Sequence, residues 1–395
     1  MRQVLEKNLT MKWQDKLKEN IRTIKQLKKY VELSAKEEER LQGVIEKHPM
    51  SITSYYASLI NWNDPNDPLK RMVVPSIDEF NVSGSYDTSG ELQNTKMPGL
   101  QHKYSQTALI LVTNRCPAYC RRCFRKRLVG LASQEILTRF GNAVEYVQKH
   151  KEINNVLISG GDPLILPTSV LEMFLKRLSQ IDHLDFIRIG TRTPLVLPSR
   201  ILEDRRLLAV LRKYSLKNRR IYVSTQFNHP REITPQSSEA VNRLLNSGVI
   251  INNQTVLLKG VNDKPRLLAE LQENLVRIGI NPYYVFQCRP VKRVKYRFQV
   301  ALYQGYFIVE EAKKLLNGYS KRFKYIMSHE TGKVAILGIS SKDIYFKYHQ
   351  AKNPKNTGKF FKRKLNKTAG WLDDLSQRRV LSGVLPPEAI KLLVL

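Results

Sequence analysis

Three of the four cysteines in this 395-residue chain, Cys116, Cys120 and Cys123, fall within the single stretch LVTNRCPAYCRRCFRKRLVG at 111–130. Thiolates are soft metal ligands, and a C-x3-C-x2-C spacing supplies three of them. Three satisfy three irons of a [4Fe–4S] cluster and leave the fourth iron open to another ligand. A tetrahedral zinc site would want a fourth Cys or His close by, and Cys288 is remote in sequence. Arginines crowd the same stretch and suit an anionic cluster and anionic ligands.

Elements must hold that loop in place. Residues 13–48 are charged, free of proline until Pro49, and apolar at intervals of three and four, so they read as helices of an N-terminal cap, with Ser34 and Glu37 forming a capping box. Pro65, Pro68 and Pro75 then break the helical pattern. From residue 107 apolar runs alternate with helical spacing: TALILVT, NNVLISG, FIRIGTR, IYVSTQF, IINNQTVLL and PYYVFQC are six strands, and 132–150, 168–181, 236–247 and 264–278 are helices. Such alternation makes a parallel sheet, doubly wound or closed as a barrel. Polar motifs follow the strand ends (NRCPAYC, SGGDP, TRTP, QFNHP), on the face where barrels build active sites. Beyond residue 340 a lysine-rich tail with Phe360, Phe361 and Trp371 to bury reads as an ordered extension.

The formal charge is +31, from 66 Lys and Arg against 35 Asp and Glu. Such a surface could bind nucleic acid, but the lysines are spread along the chain with no RNA-binding pattern to focus them, so nucleic acid is not the expected partner. No apolar run approaches the roughly 18 residues that span a bilayer, and the N-terminal MRQVLEKNLTMKWQDKLKEN has no apolar segment of signal type. The expectation is a cytoplasmic protein without a membrane partner, in a compartment that keeps thiols reduced.

From about residue 13 to 340 the chain resembles the lysine 2,3-aminomutase family of the radical S-adenosylmethionine (SAM) superfamily. The resemblance runs through SYYASLI, DPNDPLKRMVVPS, CPAYCRRCFRKR, SGGDPLIL, GTRTPLVLP, FNHPREIT, NNQTVLLKGVND and PYYVFQC, in family order. It implies an α/β fold, a partial (β/α)6 barrel over 101–290, preceded by a helical cap and linker over 1–100 and followed by a C-terminal region over 291–395. It further implies that Cys116, Cys120 and Cys123 hold a [4Fe–4S] cluster whose open iron chelates SAM, and that an electron from a donor such as flavodoxin or ferredoxin cleaves SAM to a 5'-deoxyadenosyl radical. Ser159, Gly160, Gly161 and Asp162 would approach the amino-acid end of SAM, with Arg192, His229 and Gln254 contributing from other strand ends. Arg122 stands where many members carry an aromatic or histidine against the adenine, and a guanidinium plane can stack there similarly.

The same resemblance implies pyridoxal phosphate (PLP), joined as a Schiff base to Lys333 in the glycine-containing loop of MSHETGKVAILG, with Lys103 and Tyr104 near its phosphate and ring. Three departures bear on that site: Thr107 replaces a phosphate-binding arginine, Phe286 replaces a tyrosine, and the loop has fewer glycines. The implied activity is that of an isomerase moving an amino group of a small amino acid from the α to the β carbon. Arg125 would pair with the substrate carboxylate, and the enzyme would form a homo-oligomer. Two aspartates that receive lysine's ammonium in the family are absent, with Arg289 at the first position and Ser328 and His329 at the second. An ammonium beside Arg289 would bury like charges without a counterion, so glutamate or another non-cationic amino acid is expected if Arg289 points inward. The alternatives are a radical SAM enzyme without PLP acting on RNA or a translation factor, and an iron–sulfur electron carrier, which would need a fourth cluster ligand.

Overall fold

The computed structural model describes residues 12–375. A single sheet runs through them in sequence order: β1 (Thr95–Met97), β2 (Leu100–Tyr104), β3 (Thr107–Thr113), β4 (Asn155–Gly160), β5 (Phe186–Gly190), β6 (Ile221–Thr225), β7 (Ile250–Leu257), β8 (Asn281–Gln287), β9 (Lys324–His329), β10 (Gly332–Ile339), β11 (Asp343–Ala351) and β12 (Phe360–Lys364). Strands β3 to β9 are parallel, and antiparallel hairpins extend both edges. The sheet does not close, because β1 and β12 do not pair. It curls nonetheless: Lys103 Nζ on β2 donates to His329 O on β9 at 2.6 Å.

Strand periodicity explains how one sheet makes both a core and a cavity. Along β7 the residues Ile251, Asn253, Thr255 and Leu257 are buried, and the alternate set Asn252, Gln254 and Val256 lines the cavity. Period two sends successive side chains to opposite faces, so polar residues at every second position mark an interior that is not filled by packing. Helices Thr168–Leu178, Pro235–Asn246 and Pro265–Arg277 cover the outer face near their expected bounds. The helix expected over 132–150 begins only at Phe140, because the preceding segment is drawn against the sheet, where Leu137 N donates to Leu111 O at 2.9 Å. A tertiary hydrogen bond overrides local propensity there.

The N-terminal helices grip the cysteine loop. Ser34 and Glu37 form the expected capping box. Asn20 Nδ2 donates to Pro117 O at 2.7 Å, Tyr119 N to Ser51 O and Arg121 N to Met72 O, both at 2.8 Å. Below them the Glu79 carboxylate, fully buried, accepts from Arg121 Nε and Nη2 at 2.7 Å and from Lys126 Nζ at 2.6 Å. Burial would raise that carboxyl, but the two cations outweigh it and hold its pKa at about 2. Within the described residues the tail beyond 340 continues the sheet as β11 and β12, with Trp371 1% exposed in the core beneath β9 and β10 and Phe361 packed against it. Phe360, expected to be buried, is instead 58% exposed on the edge strand β12, and residues 376–395 lie outside the described residues. No helix among the described residues is long and apolar enough to cross a membrane.

Candidate active site

The cysteine loop leaves the C-terminal end of β3, and Cys116, Cys120 and Cys123 line a cavity of about 170 Å³. Burial, then Asp162 and the other thiols, push the Cys116 thiol up, and burial pushes Cys123 up likewise. Arg192 Nη1 donates to Cys120 Sγ, and its Nη2 to the buried Glu232 at 2.9 Å. Among the described residues no three His, Cys, Asp or Glu side chains converge on one metal-ion position. The three cysteines of a cubane each take a separate iron. Three crowded thiols backed by a buried guanidinium therefore fit an iron–sulfur cluster.

The SGGD segment adjoins this loop at the end of β4. Gly160 has φ +117°, and a Cβ there would lie 2.3 Å from Thr113 O; a Cβ on Gly161 would lie 2.1 Å from Arg115 O. The close approach that these glycines permit is thus to the cysteine loop, sealed by Gly161 N donating to Thr113 O at 2.6 Å and Asp162 N to Arg115 O at 2.8 Å. Asp162 joins two strand ends: its carboxylate accepts from Leu164 N, Thr191 Oγ1 and Arg192 N at 3.1, 2.6 and 2.7 Å. Ser159, Gly160, Gly161, Asp162, Arg192 and Gln254 all line the cysteine cavity. Arg122 Nε and Nη2 and Arg192 Nε are buried there without a partner, so the cavity fits a ligand that offers acceptors, as the carboxylate and ribose of SAM do.

A larger cavity of about 550 Å³ shares Arg122, Phe124, Arg125, Leu157, Ser224, Gln226 and Gln254 with the first and continues down the interior of the sheet. Lys333 reaches into it from β10 and has no hydrogen-bond partner among the described residues, its Nζ lying 5.6 Å from the Tyr104 ring centre and 5.3 Å from that of Tyr284. Burial, then the charges of Arg188, Lys103 and Arg289, bring its amine down to about 7. The stretch around Lys333 is a hairpin turn and strand, with Lys333 opposite Ser328 and Gln350, where the sequence suggested a loop. Burial, followed by Arg289, likewise lowers Lys103 to about 7, while its Nζ donates to Ser89 O and His329 O. Burial raises the Tyr104 hydroxyl to about 12. A bare amine between two aromatic faces, with cations nearby, fits an aldehyde cofactor carrying an anionic group.

Phe124 lines both cavities, with the Arg125 guanidinium 4.6 Å and the Arg289 guanidinium 4.3 Å from its ring centre. Arg125 donates through Nε to Glu91 at 3.1 Å and through Nη1 to Ser159 Oγ and Gly160 O. Arg289 points inward, donating to Ser89 Oγ at 2.8 Å and Ser328 Oγ at 2.9 Å. Among the described residues Glu91 is the one acid lining the larger cavity, and Arg125 and Arg127 already engage it.

One expected site residue does not join the others. His229 lies outside both cavities: its Nδ1 accepts from Arg231 N at 3.1 Å and caps the short helix Pro230–Glu232. Arg188, Glu91, Phe124 and Gln226 line the cavities without having been singled out in the sequence. For Arg188 a signal existed, a charged residue inside the apolar run FIRIG; Glu91 sits in an unpatterned segment and carried none.

A family profile described as the Radical SAM superfamily matches residues 110–271. A putative L-lysine 2,3-aminomutase from Aquifex aeolicus (strain VF5) is 43% identical over 363 residues, 90% of this chain and 97% of that protein. The L-lysine 2,3-aminomutase of Clostridium subterminale is 37% identical, covering 78% of this chain and 73% of the relative. The glutamate 2,3-aminomutase of Clostridioides difficile (strain 630) is 35% identical, covering 78% and 71%. Among solved structures, a radical SAM methyltransferase from Sphaerobacter thermophilus overlays with a TM-score of 0.35 at 13% identity, over 57% of this chain and 68% of that one.

Proposed function

The chain belongs to the radical SAM aminomutase family of lysine and glutamate 2,3-aminomutases, and from that premise we propose that it is an amino-acid 2,3-aminomutase whose substrate carries an acidic or neutral side chain, glutamate being the simplest. The observation that carries the choice of substrate is the charge of the larger cavity. Lys103, Lys333, Arg122, Arg125, Arg188 and Arg289 line it, against the single, already engaged Glu91. A lysine ammonium would enter a cationic chamber with no free carboxylate, which costs several kcal/mol as an uncompensated buried charge. A side-chain carboxylate would instead meet Arg289.

Family membership implies a [4Fe–4S] cluster, SAM and PLP. When bound, these groups supply one-electron cleavage of a C–S bond, hydrogen abstraction by carbon, and an electron-accepting ring conjugated to the substrate nitrogen. The chain's own residues do the rest. Cys116, Cys120 and Cys123 would hold the cluster, with Arg192 neutralising charge at Cys120. Ser159, Gly160, Gly161, Arg122 and Gln254 would line the SAM site, and Asp162 would keep two strand ends in register beneath it. With its amine brought down to about 7, about half of Lys333 is unprotonated at neutral pH, and that fraction can attack the aldehyde without first losing a proton. Arg125, fixed by Glu91 at Nε, would present Nη2 to the substrate α-carboxylate, and Phe124 would separate the two guanidinium planes so that each takes one carboxylate. Tyr104 and Tyr284 would shield the reacting nitrogen from water. A flavodoxin or ferredoxin is the kind of donor this reading requires.

The test is a panel of free amino acids assayed anaerobically with SAM, PLP and dithionite, with products read as β-amino acids. Glutamate should turn over and lysine should not, and Arg289→Asp should gain lysine activity. Efficient turnover of lysine with little of glutamate overturns the assignment of substrate.

A further inference from the structure

Arg188 has no stated task in this scheme, and its surroundings demand one. It occupies the centre of β5 between Ile187 and Ile189, which are buried in the core, and its own side chain lines the larger cavity. Arg125 and Arg289 each have protein acceptors for two nitrogens, and Arg122 has Gln226. By contrast, the Arg188 guanidinium makes no hydrogen bond among the described residues, and its Nε is buried without a partner. Among the described residues no carboxylate stands against it; its titratable neighbours are the phenols Tyr283 and Tyr284. A buried guanidinium in that state is strongly unfavourable unless a ligand anion meets it.

Position narrows the anion. Arg188 lines the larger cavity and not the one with the cysteines, so the SAM carboxylate is not its partner. It acts electrostatically on Lys333, and Tyr284, beside it, is also one of the two rings flanking the Lys333 amine. The anion therefore belongs to the molecule that Lys333 takes. Resting on the reading of Lys333 as the PLP lysine, we propose that Arg188 anchors the phosphate of PLP, with a planar guanidinium donating two parallel N–H bonds to two phosphate oxygens. Of the neighbouring donors, Asn155 Nδ2 is spent on Gln106 O, Thr107 Oγ1 and Asn154 Oδ1, and Lys103, which the resemblance puts near the phosphate, already donates to Ser89 O and His329 O.

The experiment titrates anaerobically purified apoprotein with PLP and, separately, with pyridoxal, which has the same aldehyde and no phosphate; uptake is followed by imine absorbance. The wild type should take PLP far more tightly than pyridoxal. Arg188→Met should weaken PLP about 30- to 100-fold, as loss of a charge-assisted pair does, and leave pyridoxal uptake within about threefold. Arg188→Lys, which keeps the charge and loses the fork, should weaken PLP by a smaller factor; it also carries the test if the methionine variant does not fold. Unchanged PLP affinity in the folded variants, or equal loss for both aldehydes, overturns the proposal. If the wild type takes neither aldehyde at Lys333, the parent reading fails first and this one falls with it.

Discussion

Passing pH through neutrality switches Lys333 between an ammonium and a bare amine, and the second alone attacks a carbonyl. The amine is held at about 7 against an ordinary 10.5, a drop of about 3.5, chiefly by burial and then by Arg188, Lys103 and Arg289. At pH 7 about half of it is therefore unprotonated, against about one part in 3000 for an ordinary lysine, a gain in reactive form of about 10³. Trace acetylation of the apoprotein with isotopically paired acetic anhydride, read peptide by peptide across pH, measures this directly. Lys333 should show a midpoint near 7 while exposed lysines titrate near their ordinary value. The sign for stability follows: the folded value lies below the unfolded one, so the protonated form is penalised in the fold, and stability contributed through this group rises as pH climbs from about 7 toward 10.5. A labelling midpoint above about 9 would refute the argument, because it would mean that the cavity neither desolvates the amine nor concentrates positive charge around it.

Single Cys→Ala changes at 116, 120 and 123 should each abolish the cluster, measured as iron and sulfide after anaerobic reconstitution, and Cys288→Ala should retain it, since Cys288 is buried away from the cysteine cavity. Gly161→Ala should drive the Cβ against Arg115 O, 2.1 Å away, lowering stability in urea by about 1–3 kcal/mol and cluster content with it. Glu79→Gln should cost about 3–5 kcal/mol, because Arg121 and Lys126 are left as buried cations without an acid. The native carboxyl sits at about 2 against an ordinary 4.5, so its contribution is complete above about 4.5 and is lost as pH falls toward 2; acid unfolding of the variant should lack that component.

How far the sequence could be read depended on whether the cause was local. The six barrel strands are each a short run of apolar and β-branched residues bounded by turn signals, and all six form where the pattern puts them. The cysteine spacing is a local signal as well. Strand β9 and the ribbon β10 to β12 were not separable from loop, because KYIMSH and GKVAILGI are short and the glycines read as breaks; pairing with β8 and with one another decides them. His229 reads as a site residue from its position after a strand; in the fold its Nδ1 accepts a backbone hydrogen bond two residues on and it lines neither cavity, a tertiary arrangement with no local signal. Glu91 is legible only in three dimensions: it lies 34 residues before Arg125 in sequence, and nothing in SGELQN announces a counterion.

The excess of positive charge in the composition has a local counterpart that the surface reading misses. Coulomb repulsion among the six cationic side chains of the larger cavity is weakly screened, because low-polarisability walls such as Leu109, Leu157 and Phe186 surround them. Two of them, Lys103 and Lys333, can relieve it by releasing a proton, and burial first, then the neighbouring cations, pulls both to about 7. The arginines cannot, since a guanidinium keeps its proton. The arginines thus keep the chamber cationic while its two amines approach neutrality, a division of labour that follows from which residue type stands at each position. Every anionic group brought in, a phosphate beside Arg188 or a carboxylate beside Arg125 or Arg289, lowers the energy of the whole set, so binding at these places should be mutually supportive even where the ligands do not touch.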